Sequence, residues 1–275
     1  MAFSDLDDFI SKLASAPFYG FSKIGAGTGG KVNSLWTTTP NGASAPSTAV
    51  ALSNTTTGAL LKPALPGSIT NPLWLSQIEI TGDTTAGTCY VLCDRLCEQG
   101  GLSGTDTATQ TTNMPTAALT RYTDGVGVFA AVEIYTQVGT TARTLTAVYT
   151  NQAGTGSRTT KPIVFGATDT REAGKLLTLP LQDGDTGVRS VESVTISAST
   201  GTAGNFGITL FKPLAILPLI TSQTKGVTPA YQNLLVASGA KLIEVQDNAC
   251  LFLTGSGAGG GNTGRVVGYL KVVEA

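Results

Sequence analysis

Residues 121–158 read RYTDGVGVFAAVEIYTQVGTTARTLTAVYTNQAGTGSR and carry the strongest strand pattern in the chain. From Val126 to Ile134 every second residue is aliphatic or alanine, which is the period of a pleated strand with one buried face. Residues 144–150 repeat this alternation, and turn residues at 139–142 separate the two segments. The stretch therefore predicts a β-hairpin, and nothing in it resembles a catalytic motif.

Strand patterns of this kind recur from residue 73 onward. Turn signals such as Thr81-Gly82-Asp83 separate them, and no helical pattern comes between them. Many short strands without intervening helices predict an all-β fold, specifically an antiparallel β-sandwich or barrel. The predicted strands are residues 73–80, 89–96, 126–135, 144–150, 162–165, 175–181, 188–197, 206–211, 241–245, 250–254 and 265–273.

Residues 4–14, SDLDDFISKLA, predict the one clear helix. Ser4 is the expected N-cap, and Asp7 occupies the capping-box position three residues later. The apolar residues of this helix share one face, which either packs on the protein's own sandwich or docks on a neighbouring subunit. We take this face as a candidate subunit interface, and it consists of Leu6, Phe9, Ile10 and Leu13.

Residues 25–70 are rich in Gly, Thr, Ser, Ala and Pro and show little periodicity, which predicts an extended arm lying over a surface. We therefore divide the chain into three parts. Residues 1–70 form the N-terminal helix and extended arm, and residues 71–220 form the main β-sandwich. Residues 221–275 either complete the sandwich or form a small subdomain. Because residues 1–40 hold few strand patterns, we expect the core to fold without them.

The composition is that of a β protein with a sparsely charged surface. Of 275 residues, 41% are hydrophobic, 34 are glycine and 13% are charged. The charged fraction is about half of the ~25% usual in globular proteins. We expect other chains to cover part of such a surface, and we therefore predict a homo-oligomer.

Charge and missing residue types argue against several function classes. A net charge of −1 with scattered Lys and Arg argues against nucleic-acid binding. The sequence has no histidine, the commonest general base and metal ligand. It has no apolar run of about 18 residues to span a membrane. The acidic first segment, MAFSDLDDF, is unlike a secretory signal peptide.

Two glycine-rich segments approach nucleotide-binding motifs without meeting them. Residues 24–32, IGAGTGGKV, place Val32 where a phosphate-binding loop needs Ser or Thr, and no helical pattern follows. Residues 255–260, GSGAGG, precede a strand pattern where a dinucleotide site requires a helix. We interpret both segments as loops and predict no cofactor.

Three of the cysteines are spaced four residues apart. Within a strand this spacing puts them on one face, with neighbours about 13 Å apart, too far for a disulfide among themselves. Metal sites use C-x-x-C pairs or histidine partners, which the sequence lacks. Two alternatives stay open: buried free thiols, or disulfides that involve the fourth cysteine or another chain. The four residues are Cys89, Cys93, Cys97 and Cys250.

The carboxylates do not single out a glycosidase pair or a metal site. Most lie in turns, where Asp caps backbone groups. Asp183 and Asp185 resemble a fragment of a calcium loop, but the glycine and distal Glu of that motif are missing. We predict no metal site and no catalytic residue. The carboxylates considered for a glycosidase pair are Asp83, Asp94, Asp124, Glu133, Asp169, Glu172, Asp183 and Asp185.

Four segments resemble virion structural proteins of tailed bacteriophages. They are CDRL at 93–96, GGLSGT at 100–105, ALTRYTDGVGV at 118–128 and VYTNQAGT at 148–155. The likeness covers roughly residues 75–215 and rests on turn and strand phrases, so it carries over no functional residues. It implies a capsid decoration or cement protein with a jelly-roll core, commonly trimeric, that binds the major capsid protein.

The expected function is therefore a non-enzymatic head decoration or cement protein. It would be made in the host cytoplasm and located on the capsid surface, without nucleic-acid or membrane partners. The alternatives are a tail or fibre component and, from a different class, a carbohydrate-binding module or a glycan-cleaving enzyme. Long heptads or a fibrous repeat would favour the fibre, and the sequence has neither. A cleft with paired carboxylates would favour the enzyme.

Overall fold

A computed structural model describes the chain over residues 4–24, 31–60, 73–82, 88–116, 118–219, 230–233, 243–257 and 265–274. Strand pairs in these ranges are antiparallel, in sheets that pack face to face. The predicted all-β antiparallel sandwich is therefore confirmed.

The described ranges contain one α-helix, α1, at Leu6–Ser15, and a short 3-10 helix at Met114–Thr116. None of the helices in these ranges has the length and apolar character needed to cross a membrane. The strands in chain order are β1 Phe18–Ile24, β2 Val32–Ser34, β3 Val50–Ala51, β4 Leu73–Gly82, β5 Thr88–Leu102, β6 Gln110–Thr111, β7 Phe129–Thr136, β8 Arg143–Asn151, β9 Arg158–Thr159, β10 Ile163–Phe165, β11 Leu176–Thr178, β12 Val188–Ile196, β13 Asn205–Leu219, β14 Ala230–Asn233, β15 Ile243–Val245, β16 Leu251–Gly257 and β17 Arg265–Glu274.

Each predicted strand segment contains an observed strand, but β13 is much longer than predicted. Its extension includes Pro213 and Pro218, which lack the N–H that a central strand needs. Beyond Phe211, β13 pairs with β5 but no longer with β7. Within the described residues, the second half of β13 is therefore hydrogen-bonded to a neighbouring strand along one edge. The strands missed by the sequence patterns are β1, β2, β3, β6, β9 and β14.

The strands form three sheets over the described ranges. The central sheet has the order β11-β7-β13-β5-β16-β2, with β3 also paired to β5. The lateral sheet has the order β10-β8-β12-β6, with β9 on β8. The terminal sheet has the order β1-β17-β4-β14, with β15 on β4. The long strands β5 and β13 pair along their length and carry side chains into both cores described next.

Two apolar cores join the central sheet to its neighbours. In one, Leu92 and Leu217 of the central sheet pack with Ile78 of the terminal sheet. In the other, Val132 of the central sheet packs with Tyr149 of the lateral sheet. Burial of such side chains contributes about 1.5–3 kcal/mol each, so these cores are the main source of stability.

The predicted hairpin of β7 and β8 is wrong, although both strands exist. Strand β7 pairs with β11 and β13, whereas β8 pairs with β9, β10 and β12. Their alternating apolar residues meet across the core between the central and lateral sheets. The residues between β7 and β8 form backbone hydrogen bonds with other segments. The Val138 amide donates to Arg171 O and the Thr141 amide donates to Thr200 O, both at 3.1 Å. Alternation specifies which face is buried, but it does not specify the neighbouring strand.

Residues 1–70, predicted as a helix and an extended arm, also contribute three strands to the sheets. Strands β1, β2 and β3 pair with β17, β16 and β5. Leu35 and Trp36 are 1% and 0% exposed, so residues 1–40 contribute side chains to the buried clusters, and folding without these residues stays a prediction. Residues 31–60 contribute β2 and β3 to the central sheet, and Trp36 between these strands covers one face of the sheet in an apolar cluster with Phe252. We call residues 31–60 the covering segment.

Candidate functional site: an exposed helix face and a buried ion cluster

Helix α1 begins one residue later than predicted. The Asp5 side chain accepts a hydrogen bond from the Asp8 amide at 2.8 Å, so Asp5 is the N-cap instead of Ser4. The Asp8 carboxylate accepts from the Ser4 amide at 3.1 Å. These two bonds resemble a capping box shifted by one residue. Aspartate caps helices as well as serine does, so the shift costs little.

The four residues of the predicted interface divide into two pairs. Phe9 is 5% exposed and Leu13 is half-buried, while α1 lies against β17. Leu6 and Ile10, one helical turn apart, are 66% and 53% exposed. The helix thus attaches to its own chain by one side and presents two large apolar side chains to solvent.

A third exposed apolar side chain lies on the strand that follows the helix. Phe18 of β1 is 59% exposed, and its ring meets the Tyr269 ring edge-on at 5.1 Å between centroids. Lys271 Nζ lies 4.7 Å from the Phe18 centroid. Strand β1 is at one end of the terminal sheet within the described residues. An apolar partner surface that covered Leu6, Ile10 and Phe18 would stabilise a complex through apolar burial.

A buried ion cluster on the central sheet depends on a β-bulge. Arg95 and Glu98 are three residues apart and would point to opposite faces of a regular strand. The register of β5 against β13 shifts between Arg95 and Cys97, which leaves Leu96 as an extra residue. Leu96 and Cys97 both enter the core shared with the lateral sheet. The bulge therefore returns Glu98 to the face of Arg95.

Arg95 joins two glutamates in this cluster. Its Nε donates to Glu98 Oε2 at 2.9 Å, and its Nη2 contacts the same oxygen and also Glu133 Oε2, the latter at 2.5 Å. Thr209 Oγ1 donates to Glu133 Oε2 at 2.6 Å, and the Tyr135 hydroxyl accepts from Arg95 Nη2 at 3.1 Å. The three charged side chains are 0–3% exposed. Two carboxylates thus share one guanidinium away from water.

Two aromatic rings, one from the covering segment and one from β16, lie against the Arg95 guanidinium. The Arg95 Cζ atom lies 4.4 Å from the Trp36 ring centroid and 5.2 Å from that of Phe252. Trp36 belongs to the covering segment, whose strand β3 pairs with β5 at Glu98. Cation–π contacts offset part of the cost of burying the charge. Arg95 Nη1 and Glu133 Oε1 have no hydrogen-bond partner among the described residues.

Burial changes the acid–base properties of this cluster. It raises the pKa of Glu98, an effect that Arg95 opposes and Glu133 reinforces. Burial also raises the pKa of Tyr135 well above its ordinary value of 10.0, and the Glu133 charge adds to this rise. The phenol therefore stays neutral at physiological pH.

Asp94 forms a separate ion pair beside this cluster. Arg121 donates to it from Nε and Nη2, each at 2.8 Å, and the Cys250 amide donates at 2.9 Å. Arg121 Nη1 also donates to Leu52 O of the covering segment at 2.9 Å. Burial raises the pKa of Asp94, and the bonds from Arg121 oppose that rise. This pair has equal and opposite charges, and it ties the covering segment to β5.

The four cysteines are free thiols, and three are buried: Cys93, Cys97 and Cys250. The predicted common face is wrong, because Cys93 packs under the covering segment and Cys97 in the core of the lateral sheet. The bulge at Leu96 inverts the alternation between them. Burial raises the pKa of Cys97 to about 12 and also raises that of Cys93 and Cys250. Cys89 is partly exposed, and cross-linking to another chain stays a prediction.

The two glycine-rich segments lie partly outside the described residues, which exclude 25–30 and 258–264. The strand β2 follows the first segment, and the strand β17 follows the second. Neither position has the helix that a nucleotide-binding loop needs.

The remaining carboxylates with resolved partners serve local bonds. Asp183 pairs with Lys161 at 2.5 Å on the surface. Asp185 accepts from Arg158 at 2.5 Å, from Asn151 at 2.8 Å and from the Tyr149 hydroxyl. Asp83 lies outside the described residues. Over the part of the chain that the structure describes, no three His, Cys, Asp or Glu side chains are grouped to hold a metal ion.

No protein-family model and no curated protein matches the chain. Among solved structures, the VP2 subviral particle of infectious bursal disease virus aligns at 11% identity, over 94% of this chain and 81% of that one, with a TM-score of 0.20. The Gt and Gx strain structures of that virus align at 10% identity over 94% of this chain and 82% and 81% of theirs, with TM-scores of 0.18 and 0.20. Similarity at this level carries no argument about fold or function.

Proposed function

We propose that this chain is a non-enzymatic virion structural protein that binds a capsid shell as a decoration or cement protein. The observation that carries the proposal is the exposed pair Leu6 and Ile10, held on a helix that Phe9 anchors to the protein's own chain. Two large apolar side chains on an anchored helix suit a partner surface better than they suit water. The resemblance of residues 75–215 to phage virion proteins supplies the class of partner.

The partner is the major capsid protein, and the protein itself acts as a homo-oligomer, with a trimer favoured. The charged fraction of 13% supports this, because a surface with few charges gains more from contact with other chains. The location that follows is the outer surface of the head.

The non-enzymatic part of the proposal rests on where the carboxylates lie. Glu98 and Glu133 are the carboxylates that meet at one guanidinium, yet they are 2% and 0% exposed. A catalytic pair must face a cleft that admits a sugar. This pair instead holds Arg95 within the fold.

The test is binding to capsid shells assembled without this protein. Leu6→Ser with Ile10→Ser should lower the affinity at least tenfold, because the change removes two apolar contacts and leaves Phe9 in place. Val164→Ser is the matched control, since Val164 is 56% exposed on β10, far along the chain from α1. Equal binding by the double variant and the control would refute the helix as the docking element.

The second measurement is the position of the protein in virions by cryo-electron microscopy. Density on the shell, with α1 against capsid subunits, is the expected result. Density confined to the tail would replace the decoration role with that of a tail component.

A further inference from the structure

The cluster of Arg95, Glu98 and Glu133 has an uneven charge count. One guanidinium carries a single positive charge, and two ionised carboxylates carry two negative charges. All three side chains are 0–3% exposed, so water does little to screen the excess. A net buried charge is expensive, and uptake of one proton by Glu98 removes it.

Among the residues that the structure describes, the groups around the pair do not supply the missing positive charge. Arg121 is already engaged by Asp94 through two bonds of 2.8 Å. Cys93 and Cys97 on β5 and Cys250 before β16 have raised pKa values because they are buried, so all three are neutral thiols. Tyr135 is neutral for the same reason. The described part of the covering segment contributes Trp36, an uncharged ring.

The covering segment is attached to the strand that carries Glu98. Strand β3 pairs Val50 with Glu98, and the Leu52 amide donates to Leu96 O at 3.0 Å. Trp36 lies over Arg95 at 4.4 Å. Ionisation of Glu98 would therefore place an uncompensated charge beside this segment, and hydration of that charge requires the segment to move away.

We propose that the Arg95–Glu98–Glu133 cluster holds a bound proton in the folded protein, and that loss of this proton releases the covering segment from the central sheet. Glu98 is the group that holds it, because its burial and the nearby charge of Glu133 both favour the neutral form of Glu98. The cluster thus makes the closure of residues 31–60 dependent on pH, a property separate from binding to a capsid.

The direction of the pH effect follows from proton linkage. The pKa of Glu98 in the folded protein is above its ordinary value of 4.5, so the folded protein binds more protons than the unfolded chain above that pH. The stabilisation is complete below that value and is lost as pH rises through the folded pKa. One proton raises the unfolding equilibrium constant by up to about tenfold per pH unit within this window.

Two other groups affect the same measurement. Asp94, whose pKa is also raised, adds a slope of the same sign in every variant that keeps it. Lys23 has its pKa lowered by burial to about 8 and gives the opposite slope above that pH. Urea unfolding is therefore compared between variants from about pH 5 to about pH 7.5, where the difference isolates the cluster.

Glu98→Gln and Glu133→Gln each neutralise the excess charge and should flatten the slope relative to the unchanged protein. The double variant leaves Arg95 without a counter-ion and should be less stable than either single variant at every pH. Glu192→Gln is the matched control, since Glu192 accepts from Thr150 and Ser190 in the lateral sheet and should keep the original slope. Original slopes in both single variants, or a double variant as stable as the singles, would overturn the bound proton.

Hydrogen exchange of the unchanged protein tests release without any substitution. The Leu35 and Leu52 amides, bonded to Leu253 O and Leu96 O, should lose protection as the pH rises through the folded pKa of Glu98, after correction for the intrinsic rate. The Val188 amide, bonded to Val128 O, should keep its protection. Equal changes at all three amides would overturn a local release of the covering segment.

Discussion

Arg95 Nε donates to Glu98 Oε2 at 2.9 Å although the two residues are three apart in one β-strand. Leu96 and Cys97 both turn into the core between the central and lateral sheets, and this bulge brings the two charged side chains to the same face. The bulge thus builds an ion cluster within one strand and completes it with Glu133 from β7.

Arg95→Met should destabilise the protein by about 3–5 kcal/mol at neutral pH, because it leaves two carboxylates buried without a counter-ion. Part of the loss should be recovered near pH 5, because protonation of Glu98, whose pKa burial raises, removes one of the two charges. Urea unfolding at both pH values measures this. Lys161→Met is the control, since Lys161 pairs with Asp183 at the surface, where side-chain exposures are 54% and 93%. Its effect should stay within about 0.5 kcal/mol; a comparable loss in both variants would contradict a special role for Arg95.

Gly207→Ala should also destabilise the protein, at the part of the central sheet that holds Glu133. Gly207 pairs with Glu133 across β13 and β7, and a Cβ atom there would lie 1.8 Å from Gln99 O. Backbone must shift to admit it, which costs about 1–3 kcal/mol or more. The control is Gly20→Ala on β1, where the nearest atom is Gly268 O at 4.0 Å and little change is expected. Thermal unfolding compares the two, and equal midpoints would show that the sheet adjusts freely at Gly207.

The alternation of apolar residues was enough to predict the all-β class and the positions of the main strands. It failed where a single residue changed the geometry, as at Leu96, since a bulge leaves the composition of a strand unchanged. It also assigned β7 and β8 to one hairpin, because alternation does not specify a neighbour. Glu98 entered no candidate site because its partner Glu133 is distant in sequence.

The helix pattern predicted α1 correctly but did not reveal how its apolar face divides. Phe9 and Leu6 carry the same spacing signal, yet one is 5% and the other 66% exposed. That difference depends on which side of α1 packs against β17. Strand β17 comes from the C-terminal end of the chain, so the spacing within the helix does not reveal this contact. Trp36 was missed for a related reason: an isolated aromatic residue in a polar stretch shows no period.

Truncation should separate the docking helix from the fold. Removal of residues 1–15 takes away α1 and should leave a folded protein that no longer binds shells. Removal of residues 1–40 also deletes β1, β2 and the buried Trp36 and should lower the free energy of unfolding much further. Circular dichroism and limited proteolysis of both products measure this. Equal stability of the two products would contradict the role of the covering segment in the core.

Trp36→Ala tests the same point without a deletion. The Trp36 ring is 0% exposed and meets the Phe252 ring edge-on at 6.2 Å between centroids. Its removal should cost about 3–5 kcal/mol by urea unfolding, as for other large core residues. Phe18→Ala is the control, since Phe18 is 59% exposed and should lose less than half as much. Similar losses would mean that the covering segment adds little to the core.

Thiol reactivity should follow the burial of the four cysteines. Cys89 is partly exposed, and we expect it to react with a thiol reagent in the folded protein near pH 8. Cys93, Cys97 and Cys250 are buried with raised pKa values and should react only after denaturation. Mass spectrometry after labelling, with and without urea, identifies each site.

Cross-linking of virions is limited by the same geometry. If Cys89 is the thiol that reaches a neighbouring chain, each chain forms one bond, and oxidation yields disulfide-linked dimers but no longer ladders. Non-reducing electrophoresis should show a dimer band that disappears with reductant. Cys89→Ser should abolish that band, and Cys97→Ser, which changes a buried thiol of β5, should leave it unchanged. Trimers or longer ladders would require a second accessible cysteine and would contradict the burial of the other three.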